Sequence, residues 1–133
     1  MAFLGTWETV KSENMKEFML AAGGLPENAA KMSSVKTTLT CKRDGDYYVL
    51  GATGPKGGIV EHKFIPGQEF TEAFGPLGKE RQSIGSIEGN KLTVRGVKPG
   101  TVVEIREVNG DQMTWTLTKP GVDLVGKKFY KRV

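Results

Sequence analysis

The chain has 133 residues, and its 19 lysines and arginines against 15 aspartates and glutamates give a net charge of +4. This is the length of one domain, which we expect to span 1–133. No apolar run is long enough to cross a membrane, and the first residues lack the pattern of a secretory signal. The single cysteine and single histidine exclude an internal disulfide and a Cys/His zinc site. The basic residues are dispersed, which argues against a nucleic-acid binder. We expect a cytoplasmic protein without a cofactor or metal.

A helical stripe follows the first predicted strand. Met15, Phe18, Met19 and Ala22 recur at i, i+3, i+4 and i+7, which is the spacing of one buried helix face. The pattern predicts a short helix that begins just after the first strand.

The ends of this helix carry terminal signals. Asn14 followed three residues later by Glu17 predicts an N-terminal capping box. Gly23-Gly24 is typical of a helix end, and Pro26 suits the first turn of a second short helix that continues to about residue 34. The two helices form a helix-turn-helix pair between the first and second strands.

Turn dipeptides such as Asp44-Gly45, Asn109-Gly110 and Pro120-Gly121 recur along the rest of the chain. The segments between them are strand-sized and rich in Val, Ile, Thr and Trp, which indicates a β-meander. We predict ten strands, with bounds good to about two to four residues, at 4–12, 36–43, 46–53, 58–65, 68–73, 79–87, 91–97, 101–108, 112–119 and 122–132.

A meander of ten strands favours closure into an antiparallel barrel. Ten strands enclose more room than the eight that side chains can just fill. Residues such as Thr, Ser, Gln, Tyr, Arg and Lys are frequent on the strands, so we expect a polar interior that holds a ligand. The helix pair would then cover one end of the barrel as a lid.

Several segments resemble the intracellular fatty acid-binding protein family, whose members are cytosolic lipid-binding proteins of the calycin superfamily. They are Phe3-Leu4-Gly5-Thr6-Trp7, Ser12-Glu13-Asn14, Phe18-Met19, the segment from Phe64 to Phe70, and the ending Phe129-Tyr130-Lys131-Arg132-Val133. The resemblance covers the whole chain. It implies a mainly β fold, the ten-stranded up-and-down β-barrel or β-clam, with a helix-turn-helix lid, enclosing long-chain fatty acids.

The resemblance also implies a carboxylate site. Members of the family hold the ligand carboxylate with an arginine on the eighth strand and an Arg-x-Tyr motif on the last strand. These positions match Arg106, Lys128 and Tyr130 here, so Lys128 stands where the family has arginine. Lysine keeps the charge but loses the planar fork that grips a carboxylate with two hydrogen bonds. The family's retinol binders carry glutamine at the position of Arg106, so an acid ligand is favoured over retinol.

The eighth strand leaves its orientation open when the residues alone are considered. Val103 and Ile105 form its more apolar face, which would turn Arg106 to the surface, whereas the resemblance places Arg106 in the cavity. Glu104 has the same parity as Arg106. Glu104 could therefore face inward and pair with Arg106, or lie at the rim through a local twist or bulge.

We therefore expect a monomeric carrier of long-chain fatty acids that catalyses no reaction. Met15, Phe18, Met19 and Met32 are predicted contacts of the ligand chain at the portal. Two alternatives stay open, namely a binder of retinoids, bile acids or another bulky acid, and a basic peripheral protein that contacts anionic membranes. An enzyme is disfavoured because the sequence offers no nucleophile–base pair, no paired carboxylates and no metal set.

Overall fold

The computed structural model describes residues 3–24, 26–27, 29, 37–53, 59–72 and 80–133. In these residues one short helix, α1 (Met15–Ala21), lies between the first two of ten strands. The strands are β1 Gly5–Glu13, β2 Thr38–Asp44, β3 Tyr47–Thr53, β4 Ile59–Phe64, β5 Glu69–Glu72, β6 Arg81–Glu88, β7 Lys91–Gly96, β8 Val103–Asn109, β9 Gln112–Thr118 and β10 Gly126–Arg132.

All ten strands belong to one antiparallel sheet in which strands adjacent along the chain pair with each other, except that β4 does not pair with β5. Strand β1 pairs with both β2 and β10 and so joins the two ends of the chain. The strands β4 and β5 are left as the two edges, and they lie next to each other. The predicted up-and-down barrel is thus confirmed, as a nearly closed one.

The strand bounds follow the turn signals closely, with one larger difference at the last strand. Gly110, between β8 and β9, has φ 62°, a left-handed conformation that glycine adopts without strain. The last strand begins at Gly126, four residues later than predicted. The turn that holds Val122 N–H to the carbonyl of Lys119 delays pairing with β9.

Helix α1 covers the barrel wall with the predicted stripe, since Met15, Phe18 and Met19 are all buried. A β-carbon at Gly126 would lie 3.2 Å from both Met15 Sδ and Phe18 Cβ, so the helix packs closely on the start of β10. No helix within the described part of the chain is long and apolar enough to cross a membrane.

The predicted capping box is wrong. Asn14 does occupy the N-cap, but with φ 52° it is in the left-handed conformation and its side chain makes no capping hydrogen bond. The chain leaves β1 too sharply for the extended backbone that a capping side chain needs. At the other end, Gly24 N–H donates to the carbonyl of Met19, as predicted for a glycine-terminated helix. Of the second predicted helix, Pro26, Glu27 and Ala29 are helical, and the rest lies outside the described residues.

The interior combines an apolar wall with a polar one. On β9 the side chains of Met113, Trp115 and Leu117 are buried, whereas the threonines between them are only partly so. The inner face of β9 is therefore apolar, because burying the larger apolar side chains removes more apolar surface from water. The buried polar residues lie mainly on other strands, and they include Glu72, Ser83, Glu104 and Lys128.

A glycine and an aromatic cluster close the gap between the edge strands. A β-carbon at Gly85 on β6 would lie only 2.6 Å from Cε2 of Phe64 on β4. The Phe64 ring has little freedom to move away, because its centroid lies 5.7 Å from that of Tyr48 and 5.3 Å from that of Phe70. The absence of a side chain at Gly85 thus lets β4 approach β6.

Replacing Gly85 by alanine should lower the free energy of unfolding by about 1–3 kcal/mol, because the added methyl group overlaps the Phe64 ring. Urea denaturation followed by tryptophan fluorescence measures this change. Ser86→Ala, at the exposed neighbouring position on the same strand, is the matched control and should change stability by less than about 0.5 kcal/mol. Equal stability of the two variants would contradict the packing argument.

Candidate ligand-binding site

Strand register brings two of the predicted site residues to the same level of the barrel. Arg106 on β8 pairs with Trp115 on β9, which in turn pairs with Lys128 on β10. Adjacent strands lie about 4.8 Å apart, so the backbones of β8 and β10 are about 10 Å apart at this level. Both side chains are directed into the barrel, with Trp115 between them.

Arg106 lies in the barrel wall with most of its guanidinium shielded from solvent. Its side chain is 14% exposed, and its Nη2 lies 3.7 Å from Oε1 of Glu104. The guanidinium carbon lies 5.4 Å from the centroid of the Trp115 ring, a cation–π distance. Its Nη1 is buried and has no hydrogen-bond partner among the described residues. Arg106 therefore has a donor available for a further acceptor.

A cavity adjoins Arg106 and is lined mainly by apolar side chains. They come from the N-terminal segment and from strands β2, β3, β7 and β9, and include Phe3, Leu39, Leu50, Leu92 and Met113. An apolar cavity with one cation at its wall suits a ligand that has a hydrocarbon body and an acidic end.

Lys128 lies deeper than Arg106. Its relative exposure is 0%, and within the part of the chain that the structure describes its Nζ has no hydrogen-bond partner. Burial lowers the pKa of the Lys128 ammonium to about 8, because water no longer solvates the charge. The site thus contains a desolvated amine that an anion would stabilise in its charged form.

Tyr130 is the third predicted site residue and lies two positions after Lys128 on the same strand face. Its hydroxyl is 3.3 Å from Oγ1 of Thr37, which is 2.9 Å from Oγ1 of Thr9. Burial raises the pKa of the Tyr130 phenol, so the phenol keeps its proton and can act as a donor. The structure therefore places Arg106, Lys128 and Tyr130 in one interior, on two strands separated by β9.

Glu104 faces inward and does not lie at an exposed rim, since only 3% of it is exposed. Its Oε2 accepts a 3.1 Å hydrogen bond from Nη2 of Arg81, which is shorter than its contact with Arg106. Arg81 Nε also donates to Oε1 of Glu72 at 2.9 Å, and Ser83 donates to the same oxygen. Glu104 thus belongs to a network of Glu72, Arg81, Ser83 and Glu104 and touches the ligand site through Arg106.

The pKa values of the two carboxyls in this network are shifted in opposite directions. Burial, reinforced by the Glu72 carboxylate, raises the pKa of Glu104 to about 8. Burial opposes the charged form of Glu72 as well, but a hydrogen bond from Glu104 and the charge of Arg81 hold the Glu72 pKa below its usual value. At neutral pH, Glu104 therefore carries the proton and Glu72 the negative charge.

Sequence reasoning did not single out Glu72, Arg81 or Ser83. Arg81 and Ser83 share a strand face, but that pattern alone does not say which face is inward. Their link to Glu72 and Glu104 comes from side-chain contacts between strands β5, β6 and β8.

The structure describes three of the four helix residues predicted to contact the ligand chain. Met15, Phe18 and Met19 are buried in the main hydrophobic cluster, where α1 covers the start of β10. Met32 lies outside the described residues. In the described part of the chain, no three His, Cys, Asp or Glu side chains come together in a group that could hold a metal ion.

The comparisons with known proteins agree with this architecture, although no family model matches the chain. The chain is 32% identical to fatty acid-binding protein 2 of Manduca sexta, over 98% of this chain and 99% of that protein. It is 31% identical to the liver-type fatty acid-binding protein of Takifugu rubripes over the full length of both. The chain belongs to the fatty acid-binding protein family. The Schistosoma mansoni fatty acid-binding protein, solved in complex with arachidonic acid, matches its structure with a TM-score of 0.87 and 30% identity, covering 99% of this chain and 96% of that one.

Within this fatty acid-binding protein, Lys128 should reduce the stability of the empty barrel. Lys128→Met should raise the free energy of unfolding at pH 7 by about 1–3 kcal/mol, because methionine fills similar space without a charge to desolvate. Thermal and urea unfolding of the lipid-free proteins measure the difference.

Lys127→Met is the matched control, since Lys127 is only half-buried and has the opposite orientation on β10. It should change stability by less than about 0.5 kcal/mol. A Lys128→Met variant less stable than the wild type would show that the ammonium is satisfied in the empty protein, contrary to this account.

Proposed function

We propose that the chain is a monomeric cytosolic carrier that holds a long-chain fatty acid inside the barrel and releases it unchanged. Arg106, Lys128 and Tyr130 bind the carboxylate, and the apolar cavity beside Arg106, together with Met15, Phe18 and Met19, receives the chain. The observation that carries the proposal is the pair of inward cations, Arg106 and Lys128, each with a buried donor atom that has no hydrogen-bond partner in the described ranges.

The charge balance of the interior supports an anionic ligand. Among the residues that the structure describes, five charged side chains lie in the barrel with exposures of 16% or less: the cations Arg81, Arg106 and Lys128, and the carboxyls Glu72 and Glu104. With all five ionised, the net charge is three minus two, or +1. Protonation of Glu104 increases it to +2. One bound carboxylate offsets this excess, and charge-assisted hydrogen bonds are strongest where water is excluded.

The relatives support fatty acids over other acids. The curated relatives from Manduca sexta and Takifugu rubripes are named as fatty acid-binding proteins, and the Schistosoma mansoni structure holds arachidonic acid. These are names of binding proteins, which also supports a carrier that catalyses no reaction.

We also propose that the carrier exchanges its ligand by brief contact with anionic membranes. The net charge of +4 provides a weak long-range attraction to such surfaces. On the outer side of α1, Lys16 and Leu20 are exposed, so a charged and an apolar side chain are available there for an interfacial contact.

Arg106→Gln should weaken oleate binding at pH 7 by about 10- to 100-fold, because the variant loses a charge-assisted hydrogen bond of about 1.5–3 kcal/mol. Isothermal titration of delipidated protein with oleate measures the affinity. Arg95→Gln is the matched control, since Arg95 is exposed on the neighbouring strand β7, and it should bind like the wild type. Unchanged affinity in Arg106→Gln would exclude Arg106 as the carboxylate anchor.

Oleate affinity should fall as the pH rises through about 8. In the empty protein Lys128, with its pKa of about 8, loses its positive charge in this range, while Glu104 gains a negative charge beside Arg106. Both changes oppose a carboxylate ligand, which itself stays ionised throughout.

Titrations between pH 7 and 9.5 measure this slope. Lys128→Arg and Glu104→Gln should each flatten it, because arginine stays charged and glutamine stays neutral. A slope that neither variant changes would assign the pH dependence to other groups.

A further inference from the structure

Lys128 differs from the other buried charged groups of the barrel. Glu72, Glu104 and Arg81 each have at least one hydrogen-bonded partner, and Arg106 contacts both Glu104 and Trp115. Among the residues that the structure describes, Lys128 is the fully buried cation whose Nζ has neither a hydrogen bond nor an ion pair.

The register places this amine at the head-group end of the proposed site. Lys128 pairs with Trp115 on β9, which pairs in turn with Arg106 on β8, and the guanidinium carbon of Arg106 lies 5.4 Å from the centroid of the Trp115 ring. Two positions along β10, the phenol of Tyr130 lies on the same face. The head group of an occupying lipid would therefore meet the Lys128 amine.

We propose that Lys128 is a covalent but reversible binding site for long-chain aldehydes, whose carbonyl carbon forms an imine with its Nζ. This inference rests on the proposed function, because the aldehyde's hydrocarbon chain would use the same cavity as that of a fatty acid. The aldehyde differs from the acid only at its head, where an electrophilic carbon replaces the carboxylate.

The reaction balances without an oxidant, a reductant or a metal. The nitrogen lone pair of neutral Lys128 attacks the carbonyl carbon, a C–N bond forms, and the carbonyl oxygen becomes a hydroxyl group. The C–O bond then breaks, and both amine hydrogens leave with that oxygen as water, which leaves a C=N bond. Addition of water reverses each step, so the adduct can release its aldehyde.

The burial of Lys128 favours the reactive form of the amine. Only a neutral amine is a nucleophile, and desolvation is one of the ways by which proteins activate lysine. An amine with a pKa of about 8 contains at pH 7 more than about a hundredfold more neutral form than an exposed lysine. Arg106 remains charged and cannot react in this way, which leaves Lys128 as the covalent group.

The experiment treats the full chain with less than one equivalent of hexadecanal in the presence of cyanoborohydride, which reduces an imine to a stable amine. Peptide mass spectrometry then locates the alkylated lysine. We expect alkylation of Lys128 to exceed that of every other lysine by about tenfold or more. Excess oleate should suppress it, since both ligands need the same cavity.

Two conservative variants make the result specific. Lys128→Arg keeps the positive charge but has no amine that can form an imine, so it should lose the selective adduct. Lys127→Arg changes the neighbouring lysine of opposite orientation and should react like the wild type. Alkylation spread over surface lysines, or an unchanged adduct yield in Lys128→Arg, would overturn the proposal.

Oleate titration of the same samples separates the two proposals. Oleate binding without alkylation of Lys128 would overturn the aldehyde site and leave the fatty-acid carrier in place. Selective alkylation of Lys128 without oleate binding would support the aldehyde site and overturn the fatty-acid carrier.

Discussion

The pairing of β1 with both β2 and β10 is the constraint on which the rest of the structure depends. It joins the first strand to the last and makes one nearly closed sheet out of ten strands. A closed sheet has an inside, and each strand must then direct alternate side chains into it. The register shift between Thr9 and Lys11 lets β1 bend as it completes the closure. Without this pairing, Lys128 would lie on an open sheet edge and would remain hydrated.

Closure has opposite consequences for stability and for binding. It removes water from Lys128 and Arg106, which destabilises the empty barrel because each retains a donor without an acceptor among the residues that the structure describes. The same desolvation strengthens their attraction to an incoming carboxylate. Natural proteins often accept lower stability at functional sites. In the proposed carrier, Arg106 and Lys128 are the functional residues that lower the stability of the protein.

The network around Arg81 determines how much of Arg106 is available. Glu104 bonds to Arg81 at 3.1 Å and lies 3.7 Å from Arg106, so Arg81 is its principal cationic partner. Because burial and the Glu72 carboxylate raise the pKa of Glu104 to about 8, Glu104 presents little negative charge to Arg106 at neutral pH. Arg106 can then offer Nη1 to a ligand. The ionisation of Glu104 at higher pH would make it an internal competitor of that ligand.

The sequence alone determined the number, order and near-exact extent of the strands, because turn residues and two-residue alternation are local properties of the chain. It also determined the buried stripe of α1. The family resemblance identified Arg106, Lys128 and Tyr130 as the candidate carboxylate site. The capping box predicted at the start of α1 was wrong, because the conformation of Asn14 depends on how the chain leaves β1.

Only the tertiary structure decided which face of each strand is the inner one. On β8, apolarity favours Val103 and Ile105 for the interior, yet Glu104 and Arg106 lie there. Alternation of side chains defines two faces of a strand but does not say which face points into the barrel. The inner face is determined by contacts with side chains on distant strands. Arg81 compensates the charge of Glu104, whereas Lys128 has no hydrogen-bond partner in the described part of the chain. Neither fact follows from the residues next to them in the chain.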